Sequence, residues 1–387
     1  THWNATTAKI DSLDSVKVID DRVVQLNFSA ASPWFFYLFR DQSQAPIEAA
    51  VASKNTTDDD PWATKWLARN SPGSGEFFIA DWQPGIQMTL AANPNYWDGK
   101  AFFDKVILKV VPSSASRALL LKNGDVDIAK DLSPDELNLV RNAPGVKVVS
   151  VATRNQMILG FNTTKAPFDN VLVRRALTRA VPYQQIVDGI FGGAALPSAG
   201  PIPVQGLYHD PSLWTLGTDI PAAKQLLAEA GYKDGFSFDL SIGEGNPVTE
   251  QIAVILKDAF GSIGVEMNID VQAASVFSEG LGKFEHHAWM RDLLWYVDDA
   301  GYTGDLFFKT KAVINWMEYS NSELDEVIAQ LTSTMDPKKK ASLAADYQRI
   351  LIEDAPTIAV VDMPYEIAMR DDIEGYVQLP DNLLWYW

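Results

Sequence analysis

No cysteine occurs in the 387 residues, which excludes disulfides, thiolate zinc sites and cysteine nucleophiles. Basic residues are scarce: 32 Lys and Arg stand against 50 Asp and Glu, a formal net charge of −18. Phosphate backbones and anionic membranes are held by clustered Lys and Arg, so this balance argues against nucleic acid and membrane-surface partners. No run of eighteen apolar residues is present, so no membrane-spanning helix is expected. The opening THWNATTAKIDS has neither the basic start nor the apolar core of a signal peptide; an exported form has lost its signal or carries it outside this sequence. Enzyme signatures are missing too. Gly73-Ser-Gly75 is not a nucleophile elbow, Gly243-Glu-Gly245 lacks the third glycine of a dinucleotide fingerprint, and there is no P-loop or H-E-x-x-H. His286 and His287 are adjacent; on a strand they point to opposite faces and cannot share one metal, so no metal site or cofactor is expected.

Hydrophobic residues make up 47% of the chain and charged residues 21%, the balance of a folded globular protein rather than a disordered one. Val16 to Phe28 alternates about Asp20-Asp21 as a hairpin, and Pro33 to Phe39 is a dense aromatic run suited to a core. Val106 to Val111 reads as a buried strand. Ser113 or Ser114 caps a helix that ends near Gly124, and Asp125 to Ala129 reads as a strand. Ser133-Pro134-Asp135-Glu136 is a capping box with Pro at the first helical position, and Val146 to Val151 is a further strand.

The passage Met157 to Ala180 organises the chain: an apolar strand to Phe161, a polar turn, Pro167-Phe168, then a helix with Asp169 as its cap. Val173, Ala176, Leu177 and Ala180 recur at helical spacing and leave Arg174, Arg175 and Arg179 near water. Beyond it, Asp219 caps a helix, Phe236 to Ile242 alternates, a helix spans about Val248 to Phe260, and Val265 to Val271 alternates again. Strand, helix, strand is the pattern of a layered α/β domain. Phe284 to Trp295 reads as a strand and Asp298 to Asp305 as a loop. Two helices open at Ser322 and at Asp336-Pro337, and Thr357 to Val361 is an apolar strand.

The phrase FNTTKAPFDNVLVRRAL (161–177), with WQPG (82–85), NPNYWDG (93–99) and GDVDIA (124–129), resembles the extracytoplasmic solute-binding proteins of ABC importers, in the peptide/nickel-type family 5. The resemblance runs through nearly the whole chain; Ser74-Gly75-Glu76, where Thr-Gly-Pro is usual, departs from it. It implies an α/β, two-lobed periplasmic-binding-protein-like fold, type II and cluster C-like, with a hinge between lobes. Residues 1–156 then form the first lobe, 157–168 the hinge, 169–356 the second lobe, and 357–387 the return to the first. Family members carry a further block before the point where this chain begins, so the first lobe is expected to be incomplete at its N-terminus. The implied function is non-enzymatic: capture of a peptide or peptide-like solute by a periplasmic or extracytoplasmic protein, a monomer, for delivery to a membrane permease. An oligosaccharide binder of the same fold is the alternative, followed by a carboxylate-dependent glycosidase.

The resemblance also points to contacts. Trp295-Tyr-Val-Asp298-Asp299 matches the family's W..D segment, whose Asp pairs with the ligand's α-ammonium in peptide-binding members; the plain alternative is that Asp298 and Asp299 accept backbone N–H bonds. Glu244 and Asn246, at the junction of a strand and a helix N-terminus, stand near where dipeptide-binding relatives place a carboxylate-gripping arginine. Arg291 is a replacement for that arginine or a member of a structural ion pair. Trp289, Trp316 and Trp385 are candidates for stacking on a ligand, against the commoner fate of a tryptophan, packing in the core.

Overall fold

The computed structural model describes residues 9–10, 12–35 and 47–378. Trp385, the closing aromatic run and residues 36–39 of the early one lie outside these described residues. A short hairpin comes first, β1 (Val16–Asp20) with β2 (Val23–Leu26), in the expected place. Next is a three-stranded antiparallel sheet of β3 (Phe77–Gln83), β4 (Gln87–Ala92) and β5 (Lys105–Lys109). None of its residues is fully buried, and Ile107 is exposed, so β5 is not the buried strand its composition suggested. The reason is positional: β5 is an edge strand with no layer packed closely over it among the described residues.

The main sheet has seven strands. In order they are β10 (Val265–Gln272), β9 (Phe236–Gly243), β11 (Ala288–Leu294), β7 (Val146–Phe161), β12 (Thr357–Arg370) and β6 (Ile128–Ala129), with β8 (Leu196–Pro197) also paired to β12. β9, β10 and β11 run parallel; β11, β7 and β12 alternate in direction. The strands read at Val146 to Val151 and Met157 to Phe161 are one continuous strand, and the strand from Thr357 runs on to Arg370.

β7 and β12 are antiparallel partners along this length, with one interruption: Met363 pairs with Asn155 but Pro364 pairs with Ala152. Thr153 and Arg154 are the extra residues of a bulge. Pro364 has no N–H to give the ladder, and a proline in a sheet is tolerated at such a point. Thr153 closes the gap by donating from its hydroxyl to the Met363 carbonyl at 2.8 Å.

Each face of the central strands is buried separately. On one face Met157, Leu159, Phe161, Leu240 and Met290 meet the helices Val171–Ala180, Tyr183–Phe191, Ile220–Glu229 and Pro247–Gly261. On the other, Ile158, Trp289 and Trp295 meet the helices Ser322–Ser333 and Pro337–Asp354. Residues 157–161 thus form the buried centre of the sheet. Gly160 allows the closest approach there, since a Cβ would stand 2.3 Å from Trp289 Cζ2.

Local signals set most helix ends. Ser113, Ser133, Asp219 and Asp336 each accept a first-turn N–H as expected, and Gly124 closes its helix at φ 77°. Two readings are corrected. The Val171–Ala180 helix is capped by Asn170, whose Oδ1 accepts the Leu172 N–H at 2.9 Å; Asp169 still belongs to the preceding turn, its own N–H bonded to Lys165 O. Asn and Asp are equal as caps, so the sequence does not choose between them. Arg174 is buried rather than near water: its guanidinium donates to Phe168 O at 2.7 Å and to Asp354 O and Ala355 O at the end of the long helix, where orphan carbonyls need donors.

Substituting Gly160→Ala pushes a methyl into the Trp289 ring, and overpacking of this kind costs about 1–3 kcal/mol. The urea midpoint of G160A is expected to fall accordingly; an unchanged midpoint contradicts the packing described.

Candidate functional site

Because β9, β10 and β11 are parallel, their C-terminal ends open on the same edge of the sheet. In open α/β sheets ligands bind outside such carboxyl ends, next to a change in strand order. Here the neighbour of β11 is antiparallel β7, and the segments leaving the edge are 244–246, 273–274 and 295–299.

Trp295 to Asp299 leaves β11 in a tight turn that the β7 bulge holds. The Trp295 N–H donates to Arg154 O at 3.1 Å, and Arg154 Nε donates back to Trp295 O at 3.3 Å. Arg154 Nη1 then reaches Asp298 Oδ2 at 3.2 Å, and the Leu207 N–H donates to Asp298 Oδ1 at 2.7 Å. The two side chains of this pair are only 10% and 12% exposed. Burial raises the Asp298 pKa above its ordinary value, opposed by the Leu207 hydrogen bond and the Arg154 charge. Asp299 caps the short helix Ala300–Thr303, accepting from Gly301 N and Tyr302 N, and its other oxygen is ion-paired with Lys340. Asp298 to Asp305 is therefore not a loop: it enters that helix and a following π turn, Gly304–Phe308, because Asp299 supplies the cap.

Trp289 is fully buried, edge-to-face with Trp316 at 5.4 Å, while Trp316 is half-buried with the Arg291 guanidinium 5.0 Å from its ring centre. Glu244 and Asn246 follow β9. Glu244 is exposed, and Asn246 accepts from Val248 N and Thr249 N as cap of the Pro247–Gly261 helix. Trp295 is buried in the second core beneath the turn. Trp385 lies outside the described residues.

The sequence reading missed Arg154, Leu207 and Lys340. None of the three stood out in sequence: Arg154 sits in the polar run Thr153-Arg154-Asn155-Gln156 of β7, and its aim depends on the bulge opposite Pro364.

A strap, residues 196–210, crosses this end of the sheet. Its Ser198 hydroxyl and Val204 N–H both donate to Asp362 of β12, and Gln156 Nε2 donates to the same carboxylate at 2.9 Å. Burial raises the Asp362 pKa, opposed by the hydrogen bonds from Ser198 and Gln156. Two carboxylates thus hold the strap, Asp362 at Ser198 and Val204, Asp298 at Leu207.

A separate cavity of about 560 Å³ lies beside β9 and β10, lined by Asp239, Ser241, Asp270, Glu285 and His286 among others. The amides of Asn268 and Gln272 bond to Asp239 and Asp270. His286 is buried and stacked on Phe277, with Nε2 3.1 Å from Phe277 O, while His287 is exposed. Among the described residues no group of three His, Asp or Glu side chains is placed to hold a metal ion.

This architecture defines a two-lobed α/β binding protein, and known proteins agree. The profile of the bacterial extracellular solute-binding proteins, family 5 Middle, matches residues 1–314. The chain belongs to that family, whose members are extracytoplasmic solute-binding proteins of ABC transporters and not enzymes. It is 28% identical over 375 residues to the probable D,D-dipeptide-binding periplasmic protein DdpA of Escherichia coli K12, covering 93% of this chain and 70% of the relative. It is 26% identical over 384 residues to heme-binding protein A of Haemophilus influenzae, covering 95% and 68%. Among solved structures, the periplasmic binding protein DppA of Helicobacter pylori in complex with the peptide STSA superposes with a TM-score of 0.82 at 22% identity, over 97% of this chain and 74% of that one.

Asp362 supplies a pH test. Its carboxyl holds a proton more tightly in the folded protein than in the unfolded chain, where the value is about 3.9. The stability this contributes is present below the unfolded value and is lost as pH rises through the raised folded one. The unfolding free energy of the wild type minus that of D362N is expected to fall as pH rises from about 4; a difference that grows with pH contradicts the burial-driven shift.

Proposed function

We propose that this protein captures a peptide-like solute at the carboxyl edge of β9–β11 and delivers it to the permease of an ABC importer. The observation that carries the reading is family membership together with relatives that span most of this chain: DdpA is named for D,D-dipeptides and the Helicobacter pylori protein holds a tetrapeptide. Heme-binding protein A shows that related chains serve other solutes, so the peptide class rests on the balance of relatives.

In this reading the crossing falls at the β7–β12 bulge, Ala152 to Asn155 opposite Met363-Pro364, earlier than the hinge at 157–168 that the resemblance implied. The chain before the bulge and from Pro364 onward contributes to one lobe, and residues 156–363 to the other, because Ile358, Val360 and Val361 pack in one core with Met157 and Leu159. A two-strand crossing broken by a proline lets the lobes rotate while each keeps its own core. Glu244, Asn246, Arg291, Trp316 and the Asp298-Asp299 turn form the second-lobe wall of the cleft, and Trp289 and Trp295 support it from within the core. Arg291 over Trp316 offers a cation for a solute carboxylate, since among the described residues no acid is ion-paired with it.

The test is a pool of tetrapeptides added to the purified protein. A ligand at a hundredfold excess over its Kd adds about 2.7 kcal/mol to the unfolding free energy. A closing cleft also lowers the radius of gyration in small-angle scattering, because the solute touches both lobes in the closed form alone. Stabilisation with no change in radius at saturation contradicts the cleft, and no stabilisation by any peptide contradicts the solute class.

A further inference from the structure

We propose that Arg154 fills the cation position at Asp298 from within the chain, so that the solute presents an uncharged end there, such as an N-acylated peptide terminus, rather than a free ammonium. This deepens the peptide-import reading and rests on it. Four charged side chains meet at the turn: Asp298 with Arg154, and Asp299 with Lys340. Two acids and two bases balance, and all four side chains are 9–12% exposed. An arriving ammonium gives this desolvated cluster a third cation with no third carboxylate, and a buried unpaired charge is costly.

Displacing Arg154 does not relieve the cost, because its guanidinium is then left without a carboxylate. Nor is Arg154 free to swing away. Its Nε is bonded to Trp295 O, its carbonyl accepts the Trp295 N–H, and the bulge fixes its direction. Both oxygens of Asp298 are engaged, one by the guanidinium and one by the Leu207 N–H. A neutral amide end brings no charge to the turn and leaves this arrangement intact.

The experiment is competition in native mass spectrometry between an equimolar pool of tetrapeptides with free N-termini and the same pool N-acetylated. The wild type is expected to retain the acetylated forms at least as well as the free ones. R154Q, which exposes the Asp298 charge, is expected to move the ratio at least tenfold toward the free amines. The double variant R154Q/D298N removes both charges and keeps the turn neutral; it is expected to lose that shift, which covers misfolding of the single variant. Tenfold preference of the wild type for free amines overturns the proposal while supporting peptide capture. An unchanged ratio in folded R154Q overturns the part given to Arg154. Retention of neither pool overturns the peptide reading and this proposal with it.

Discussion

The antiparallel pairing of β7 with β12 is the constraint on which the rest depends. Residues 146–161 and 357–370 lie more than 190 positions apart in the chain, yet they form the central ladder of the seven-stranded sheet. One half of the ladder carries β11, β9 and β10 with both large cores; the other carries β6 and the small core of Leu121, Leu137, Val140 and Ala368. Pro364 divides the two halves because it cannot donate to the ladder, and Thr153 and Arg154 bulge out opposite it. A single proline therefore both breaks the sheet at the proposed crossing between lobes and aims the guanidinium that organises the candidate site.

Ion pairs in this protein divide by burial. Pairs such as Lys65–Asp59 and Lys283–Glu279 are exposed, where water screens the attraction and the pair adds little to stability. Arg154–Asp298 and Lys340–Asp299 are largely withdrawn from water, where removing one partner costs about 3–5 kcal/mol and replacing both with apolar groups can be neutral. Their value is positional. Together they fix the Trp295–Asp299 turn against β7 and the Pro337–Asp354 helix, and with Asp362 they fasten the 196–210 strap over the end of the sheet. A binding cleft gains affinity from walls that are ordered before the solute arrives.

Features governed by a few neighbouring residues were legible in the sequence. The caps at Ser113, Ser133, Asp219 and Asp336 and the left-handed closure at Gly124 follow from local backbone chemistry, and the structure bears them out. Features that depend on distant chain were not. Arg174 falls on the polar side of its own helix, but the end of a helix 180 residues later stacks there and takes its hydrogen bonds. Strand β12 was seen only to Val361, because Pro364 reads as a strand breaker and the bulge that accommodates it lies on another strand. Likewise the W..D phrase identified the turn at Trp295 to Asp299, but nothing near it in sequence shows that Arg154 is the cation facing Asp298.

The central claim is that the protein holds a peptide-like solute as a carrier and returns it unchanged. Native mass spectrometry of the protein as purified, before and after unfolding, tests it most directly. The account predicts an added mass, or a series spaced by amino-acid residues, that is released intact on denaturation and rebinds on refolding. A series spaced by sugar units, or a released solute of lower mass than the one seen bound, contradicts it.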